Sequence, residues 1–183
     1  MRPVGGDNLQ EKATEKRLRE MDLTPYRLLH FATHAVLSGE MKWITQPTVV
    51  LSLAGTDDLY DGFLQMSEIF NLQLNADLVV LSACDTGKGK LHRGEGIIGL
   101  TRAFMYAGTP SVAASLWKVH DQSTSLFMEF FYRRLKEGQS KAASLRQAKK
   151  QMIYTQSDIL GRGKDSLAAP YFWAPFILIG SGN

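Results

Sequence analysis

The chain has 183 residues, of which 44% are hydrophobic, which is enough to bury the core of one domain-sized unit. Its formal net charge is +3, and the 21 basic and 18 acidic residues are interleaved, a distribution that argues against direct nucleic-acid binding. No apolar run has the length of a membrane span and the N-terminus lacks a signal-peptide pattern, so we expect neither membrane attachment nor secretion.

The chain begins with a polar N-terminal segment at residues 1–22, which we predict to stand apart from the domain formed by residues 23–183. The charged run at 11–18 predicts one short helix that faces solvent and contributes little to the core. Residues 26–34 are rich in apolar and aromatic side chains after the break at Pro25, which predicts a strand that ends in His34.

The next elements lead up to the middle of the chain. The polar stretch at 38–46 predicts a loop or hairpin, and residues 47–53 predict a second strand. Aspartates and glycines at 55–62 are typical of a turn. A helix is predicted to begin with Ser67 as its N-cap and to end near Asn75.

The central stretch, residues 76–87, predicts a fully buried strand of a parallel sheet that ends in the sole cysteine, Cys84. In open α/β sheets, ligands and chemistry gather at the carboxyl ends of such strands. A lone cysteine cannot form an internal disulfide, which is typical of a reducing cytoplasm. A glycine-rich, basic loop follows as far as Gly96.

The second half of the chain alternates helices with strands. The apolar spacing predicts a helix that closes at Gly108, a helix capped by Asp121 and a helix capped by Ser140. Buried strands are predicted at 111–117 and 170–180. This alternation predicts an α/β fold with a mostly parallel sheet flanked by helices on both faces.

A cysteine nucleophile needs a base or a positive field, because an ordinary thiol with a pKa of about 8.5 is barely ionised at neutral pH. His34 meets this need if its strand neighbours that of Cys84, since both residues then reach one sheet edge. A buried packing role for the cysteine stays open. Of the other histidines, we expect His30 to be a hydrogen-bonded core residue, His92 a surface residue, and His120 a cap or groove-lining residue.

Other kinds of site have little support in the sequence. Residues 87–90 alternate glycine and lysine, but they lack the spacing of a P-loop or a dinucleotide fingerprint. One cysteine and scattered histidines do not form a recognisable metal-ligand set. We therefore expect neither a metal nor a cofactor.

Five motifs, taken together, resemble the CHAT domain. They are His30-Phe31-Ala32-Thr33-His34, Val79-Val80-Leu81-Ser82-Ala83-Cys84-Asp85-Thr86-Gly87, Gly94-Glu95-Gly96, Ala114-Ser115-Leu116-Trp117-Lys118-Val119 and Trp173-Ala174-Pro175-Phe176. This is a caspase- and separase-like domain of clan CD cysteine peptidases, usually found after tetratricopeptide repeats (TPR) in bacterial proteins. The resemblance implies a caspase-like sheet. Because CHAT domains usually carry further strands upstream, it also implies an incomplete, C-terminal unit that could self-associate through an exposed sheet edge.

The resemblance implies a cysteine endopeptidase in which Cys84 is the nucleophile and His34 the catalytic histidine. Backbone N–H groups of Cys84 and Ala35 would hold the oxyanion. Related enzymes often have glycine in place of Ala35, and because only its N–H is needed, we expect a small effect. The implied partners are a protein or peptide substrate and a regulatory upstream or TPR-containing partner.

Substrate preference is left open by the resemblance. Metacaspases that cleave after basic residues carry an aspartate two positions before the cysteine, where this chain has Ser82. Asp85 or Asp121 could supply the negative charge instead, and Ser82 and Trp117 are further candidates for lining the substrate site. Two alternatives to a protease stay open: a catalytically inactive CHAT interaction module, and a thiol-based redox sensor that forms a sulfenic acid at Cys84.

Overall fold

The structure, a computed structural model, describes residues 12–36, 44–82, 84–85, 93–157 and 165–183. Most of the glycine-rich loop after Cys84, including His92, lies outside the described residues, as does most of the polar stretch at 38–46. Among the described residues, no helix has the length and apolarity that crossing a membrane requires.

The described helices and strands follow the predicted order with two additions, a strand after the aspartate-rich turn and a small hairpin near the C-terminus. The strands are β1 (Leu28–Phe31), β2 (His34–Val36), β3 (Thr48–Val50), β4 (Phe63–Gln65), β5 (Leu78–Leu81), β6 (Cys84–Asp85), β7 (Ser111–Ser115), β8 (Gln156–Ser157), β9 (Asp165–Ser166) and β10 (Phe176–Gly180). The helices are α1 (Glu15–Glu20), α2 (Met66–Ile69), α3 (Arg93–Tyr106), α4 (Asp121–Lys136) and α5 (Lys141–Tyr154), with a 3₁₀ turn at Pro170–Phe172.

The main sheet has four strands in the order β1-β5-β7-β10. The first three strands run parallel and β10 pairs antiparallel with β7. All residues of β5 and β7 are buried, as expected for strands covered on both faces. The predicted mostly parallel sheet is therefore confirmed, with one antiparallel strand at its edge.

Helices cover both faces of this sheet, as predicted. Alternate side chains of β5 point to opposite faces, so Val79 and Leu81 join one apolar cluster and Val80 joins the other. Phe104 of α3 lies in the first cluster and Phe127 of α4 in the second, and both are fully buried. The sheet thus lies between two hydrophobic cores, one on each face.

A second sheet has the order β4-β3-β2-β6 and extends the first. The strand predicted to end in His34 is interrupted: β1 ends at Phe31, and His34 begins β2. The interruption has a structural cause, because β2 pairs antiparallel with β3 and the Thr33 hydroxyl donates a hydrogen bond to the Val50 carbonyl. The prediction that His34 ends a strand was therefore wrong.

The N-terminal helix α1 is mostly exposed, as predicted, but Glu15 ties it to the domain. Glu15 is only 2% exposed. Its carboxylate accepts hydrogen bonds from the Gly62 N–H at 2.9 Å and from Arg19 at 2.8 Å. Arg19 also pairs with Glu68 at 2.6 Å. A buried carboxylate needs such partners, so α1 is held to the turn before β4.

Two predicted helix caps were wrong and one is confirmed. Gln65, not Ser67, is the N-cap of α2, and its backbone N–H donates to the Glu68 carboxylate at 2.9 Å. His120 is the N-cap of α4, so Asp121 is its first residue, where a carboxylate still favours the helix dipole. Ser140 caps α5 by accepting a hydrogen bond from the Ala143 N–H.

The C-terminal strand is shorter than predicted. Residues 170–172 form the 3₁₀ turn, with Pro170 in its first turn, and β10 begins only at Phe176. Proline supports the start of such a turn and has no N–H to donate to a sheet ladder. The aromatic run that looks like strand therefore forms a turn that packs into the second core.

Candidate active site

The two residues singled out by the sequence are direct partners in the structure. In the parallel ladders β1–β5 and β2–β6, partner residues are 50 positions apart, from Leu28 with Leu78 to His34 with Cys84. The Ser82 N–H donates to the Phe31 carbonyl at 3.1 Å and joins the two ladders. The prediction that the strands of His34 and Cys84 are parallel neighbours is confirmed.

The strand β2 holds His34 at an exposed position on an otherwise buried strand. Ala35 and Val36 are 0% and 3% exposed, whereas His34 is exposed. Its other neighbour in the sheet is Val50 of β3. Because side chains alternate along a strand and paired positions share a face, the positions of His34 and Cys84 lie on one face of this sheet.

A hydrogen-bonded network of His30, Ser82 and Tyr132 lies close to this pair in the chain, since His30 precedes His34 by four residues and Ser82 precedes Cys84 by two. The His30 Nε2 atom is 2.8 Å from the Ser82 hydroxyl, and the Tyr132 hydroxyl is 2.9 Å from His30 Nδ1. Burial of the ring lowers the pKa of His30 to about 4 and raises the pKa of Tyr132. His30 is therefore neutral at neutral pH, and its predicted hydrogen bonding is confirmed. The prediction that it lies in the core was wrong, because part of the residue stays exposed on the edge strand.

This network predicts a measurable pH dependence of stability. The unfolded chain takes up a proton at His30 near pH 6.5 and the folded chain only near pH 4, so the free energy of unfolding should fall as pH decreases through that window. The effect should be smaller than for a fully enclosed histidine, because His30 is partly exposed. Urea unfolding at several pH values should show a steeper decline for the wild type than for His30→Gln. Parallel curves would contradict this assignment.

The remaining predicted substrate residues are distributed unevenly around the pair. Asp85 follows Cys84 in β6 and pairs with Ala35. Ser82 is 8% exposed, and its hydroxyl is hydrogen-bonded to His30. Asp121 is exposed at the start of α4. Trp117 is half-buried and its ring N–H donates to the Tyr171 carbonyl at 3.3 Å.

The structure therefore brings only some predicted residues together. In the described part of the chain, no hydrogen bond or ion pair links Asp121 or Trp117 to His34. Tyr132, which the sequence analysis missed, completes the His30 network from α4. No sequence pattern would have identified it, because a tyrosine beside the apolar residues of an amphipathic helix has the same pattern as a packing residue.

Two open surface depressions are found among the described residues, and His34 lines neither. One has about 240 Å³ and lies beside α1, and the other has about 580 Å³ and lies between α5 and β10. Over the described ranges, no group of histidine, cysteine and carboxylate side chains is arranged to hold a metal ion.

Comparison with known proteins gives one family and two relatives. The family model of the CHAT domain matches residues 7–181. Tetratricopeptide repeat protein 28 of Homo sapiens is 31% identical over 197 aligned positions, which cover 92% of this chain and 8% of that protein. Its Mus musculus counterpart is 32% identical over 132 positions, 72% of this chain and 5% of that protein. The chain thus spans less than a tenth of the length of either relative.

These relatives are mammalian, and the bacterial context implied by the sequence motifs stays a prediction. The family match, by contrast, covers nearly the whole chain and includes both strands that carry His34 and Cys84. The chain belongs to the CHAT domain family.

Proposed function

We propose that this chain is a cysteine endopeptidase that uses a dyad of His34 and Cys84. The observation that supports the proposal is the direct pairing of these two residues on adjacent parallel strands. His34 is exposed at that position, so its ring is open to solvent and substrate rather than committed to the core. Two strands in one continuous register hold such a pair more rigidly than two loops would.

The proposed reaction is an acyl transfer in two steps. The Cys84 thiolate attacks the scissile carbonyl carbon, and the C–N bond breaks as His34, in its imidazolium form, protonates the leaving amine. Backbone N–H groups of Cys84 and Ala35 are the proposed donors to the oxyanion. His34 then takes a proton from water, which attacks the thioester and releases the acid product and the thiolate.

We propose a peptide substrate with a basic residue before the scissile bond. Of the two candidate carboxylates, Asp85 is poorly placed, because it pairs with the buried Ala35 and its position therefore lies on the opposite face of the sheet from His34 and Cys84. Asp121 is the better candidate, because it is exposed at the start of α4, which follows β7, a parallel neighbour of β5.

Regulation by an upstream domain or a TPR-containing partner is part of the proposal. Two relatives are named as tetratricopeptide repeat proteins, of which this chain covers a small share. The Ala13 carbonyl accepts a hydrogen bond from the Ser52 N–H at 2.9 Å, and Thr14 bridges to Ser52. Ser52 lies two residues after Val50, the partner of His34, so movement of the preceding chain could reach β3.

An arginyl electrophile tests the proposal, because the chain has one cysteine and any thiol adduct is therefore at Cys84. We expect mass spectrometry to show one adduct on the wild type and none on Cys84→Ala. Cleavage of arginyl and lysyl peptides should be lost in the same variant. An absence of both labelling and cleavage, with the TPR-containing partner present, would contradict the protease.

The alternative function is a catalytically inactive CHAT interaction module. It is supported by the two relatives, which are named for their tetratricopeptide repeats and not for a peptidase activity. If Cys84→Ala retained the whole biological effect of the wild type, this alternative would be favoured.

A further inference from the structure

The strand β10 has an open edge. It pairs with β7 on one side, and among the described residues no strand pairs with its other side. Two hydrogen bonds fix which backbone groups face which way: Leu116 N–H to the Pro175 carbonyl at 3.1 Å, and Ser181 N–H to the Pro110 carbonyl at 2.9 Å. In an antiparallel ladder these bonds recur at every second residue, so the N–H and C=O of Leu178 point to the open edge.

A groove of about 580 Å³ runs along this edge, between β10 and α5. Ile177 and Leu178 both line it, although adjacent strand residues belong to opposite faces of the sheet. The groove therefore includes the edge itself rather than only one face. From α5, Leu145 and Ile153 supply an apolar wall.

The charges along the groove are all positive. Arg146, Lys149 and Lys150 line it, and no carboxylate does. The α5 sequence contains no aspartate or glutamate, and none of these three cations forms an ion pair with a described carboxylate. Partial burial lowers the pKa of Lys149, so its charged form would be stabilised by an incoming carboxylate.

We propose that this groove binds an extended peptide segment in which acidic and apolar side chains alternate, added to the sheet as a strand beside β10. The segment's backbone pairs with the open N–H and C=O groups of Leu178. Its apolar side chains pack on Leu145 and Ile153, and its carboxylates meet Arg146, Lys149 and Lys150. Strand addition needs an open strand edge, and the apolar wall and the positive charge of the groove match the two kinds of side chain in the segment.

The groove is less suited to nucleic acid, because no aromatic side chain lines it to stack a base and its walls are mainly apolar. The proposal is independent of the proposed catalysis, since the groove includes neither His34 nor Cys84.

Fluorescence anisotropy with the whole chain tests the charge requirement. The probe is a labelled ten-residue peptide that alternates glutamate and valine, compared with one that alternates lysine and valine and with a single-stranded oligonucleotide. We expect saturable binding of the acidic peptide only, and at least tenfold weaker binding to Arg146→Glu/Lys150→Glu. The control Arg102→Glu/Lys136→Glu makes the same charge change at exposed positions outside the groove and should bind like the wild type.

A second pair of variants tests the strand edge. Leu178→Ala and Leu178→Pro both shorten the side chain, but only proline removes the N–H that points away from β7. We expect the acidic peptide to bind Leu178→Ala and to be lost from Leu178→Pro, with both variants folded by circular dichroism.

Equal loss in both Leu178 variants would overturn strand addition. Equal binding of the basic peptide or of the oligonucleotide would overturn the choice of partner. Dimerisation of the chain that is abolished by Leu178→Pro, without peptide binding, would assign the edge to a second copy instead.

Discussion

Replacing His34 with alanine is expected to lower kcat/KM for cleavage of an arginyl peptide by about 10³-fold, because the leaving amine loses its proton donor and the thiol its base. His34 is exposed, so the free energy of unfolding should change little. Initial-rate kinetics and urea unfolding of the same preparation measure both quantities.

His120→Ala is the matched control for His34→Ala. His120 is also exposed, and as the N-cap of α4 its side chain makes no capping hydrogen bond. It should retain the wild-type kcat/KM. The double variant His34→Ala/Cys84→Ala should be no less active than Cys84→Ala alone, because residues that act as one unit are not additive. Equal activity of His34→Ala and His120→Ala would contradict the dyad.

Replacing Gly108 with alanine is expected to lower the free energy of unfolding by about 3–5 kcal/mol. Gly108 follows α3 with φ of +117°, and a Cβ there would lie 2.2 Å from the Leu74 carbonyl oxygen. That oxygen belongs to the backbone and is held in place, because the Leu74 N–H donates to the Ala107 carbonyl at 2.8 Å. Alanine must therefore separate the end of α3 from the chain that enters β5.

Gly138→Ala is the control that separates backbone strain from the clash. Gly138 has a similar position, after α4, with φ of +83°, but a Cβ there would meet nothing within 4 Å. It should lower the free energy of unfolding by only about 1 kcal/mol. Urea unfolding of both variants makes the comparison, and similar losses would show that the close approach to Leu74 does not matter.

Local patterns identified much of the fold. The buried strand before Cys84 was predictable because a short apolar run between turn-forming residues is typical of a buried strand. The helix cap at Ser140 was predictable because its side chain accepts a hydrogen bond from an N–H only three residues later. The pairing of His34 with Cys84 followed from two strands that reach one sheet in one continuous register.

Other features depend on contacts between distant residues. The break between β1 and β2 arises from pairing with β3, and the antiparallel direction of β10 arises from its docking beside β7. Residues Phe63–Gln65 form the strand β4 by pairing antiparallel with β3. Likewise, Tyr132 reaches His30 from a helix about a hundred residues later, a contact that no local pattern indicates.

The central claim is that the imidazole of His34 acts on the thiol of Cys84, and the pH dependence of alkylation measures this directly. Because Cys84 is the sole cysteine, the rate of its reaction with iodoacetamide follows the ionisation of one thiol, whether or not the chain is active as a protease. A neighbouring imidazolium favours the thiolate, so the account predicts a rate midpoint at clearly lower pH in the wild type than in His34→Ala. The same midpoint in both proteins would contradict it.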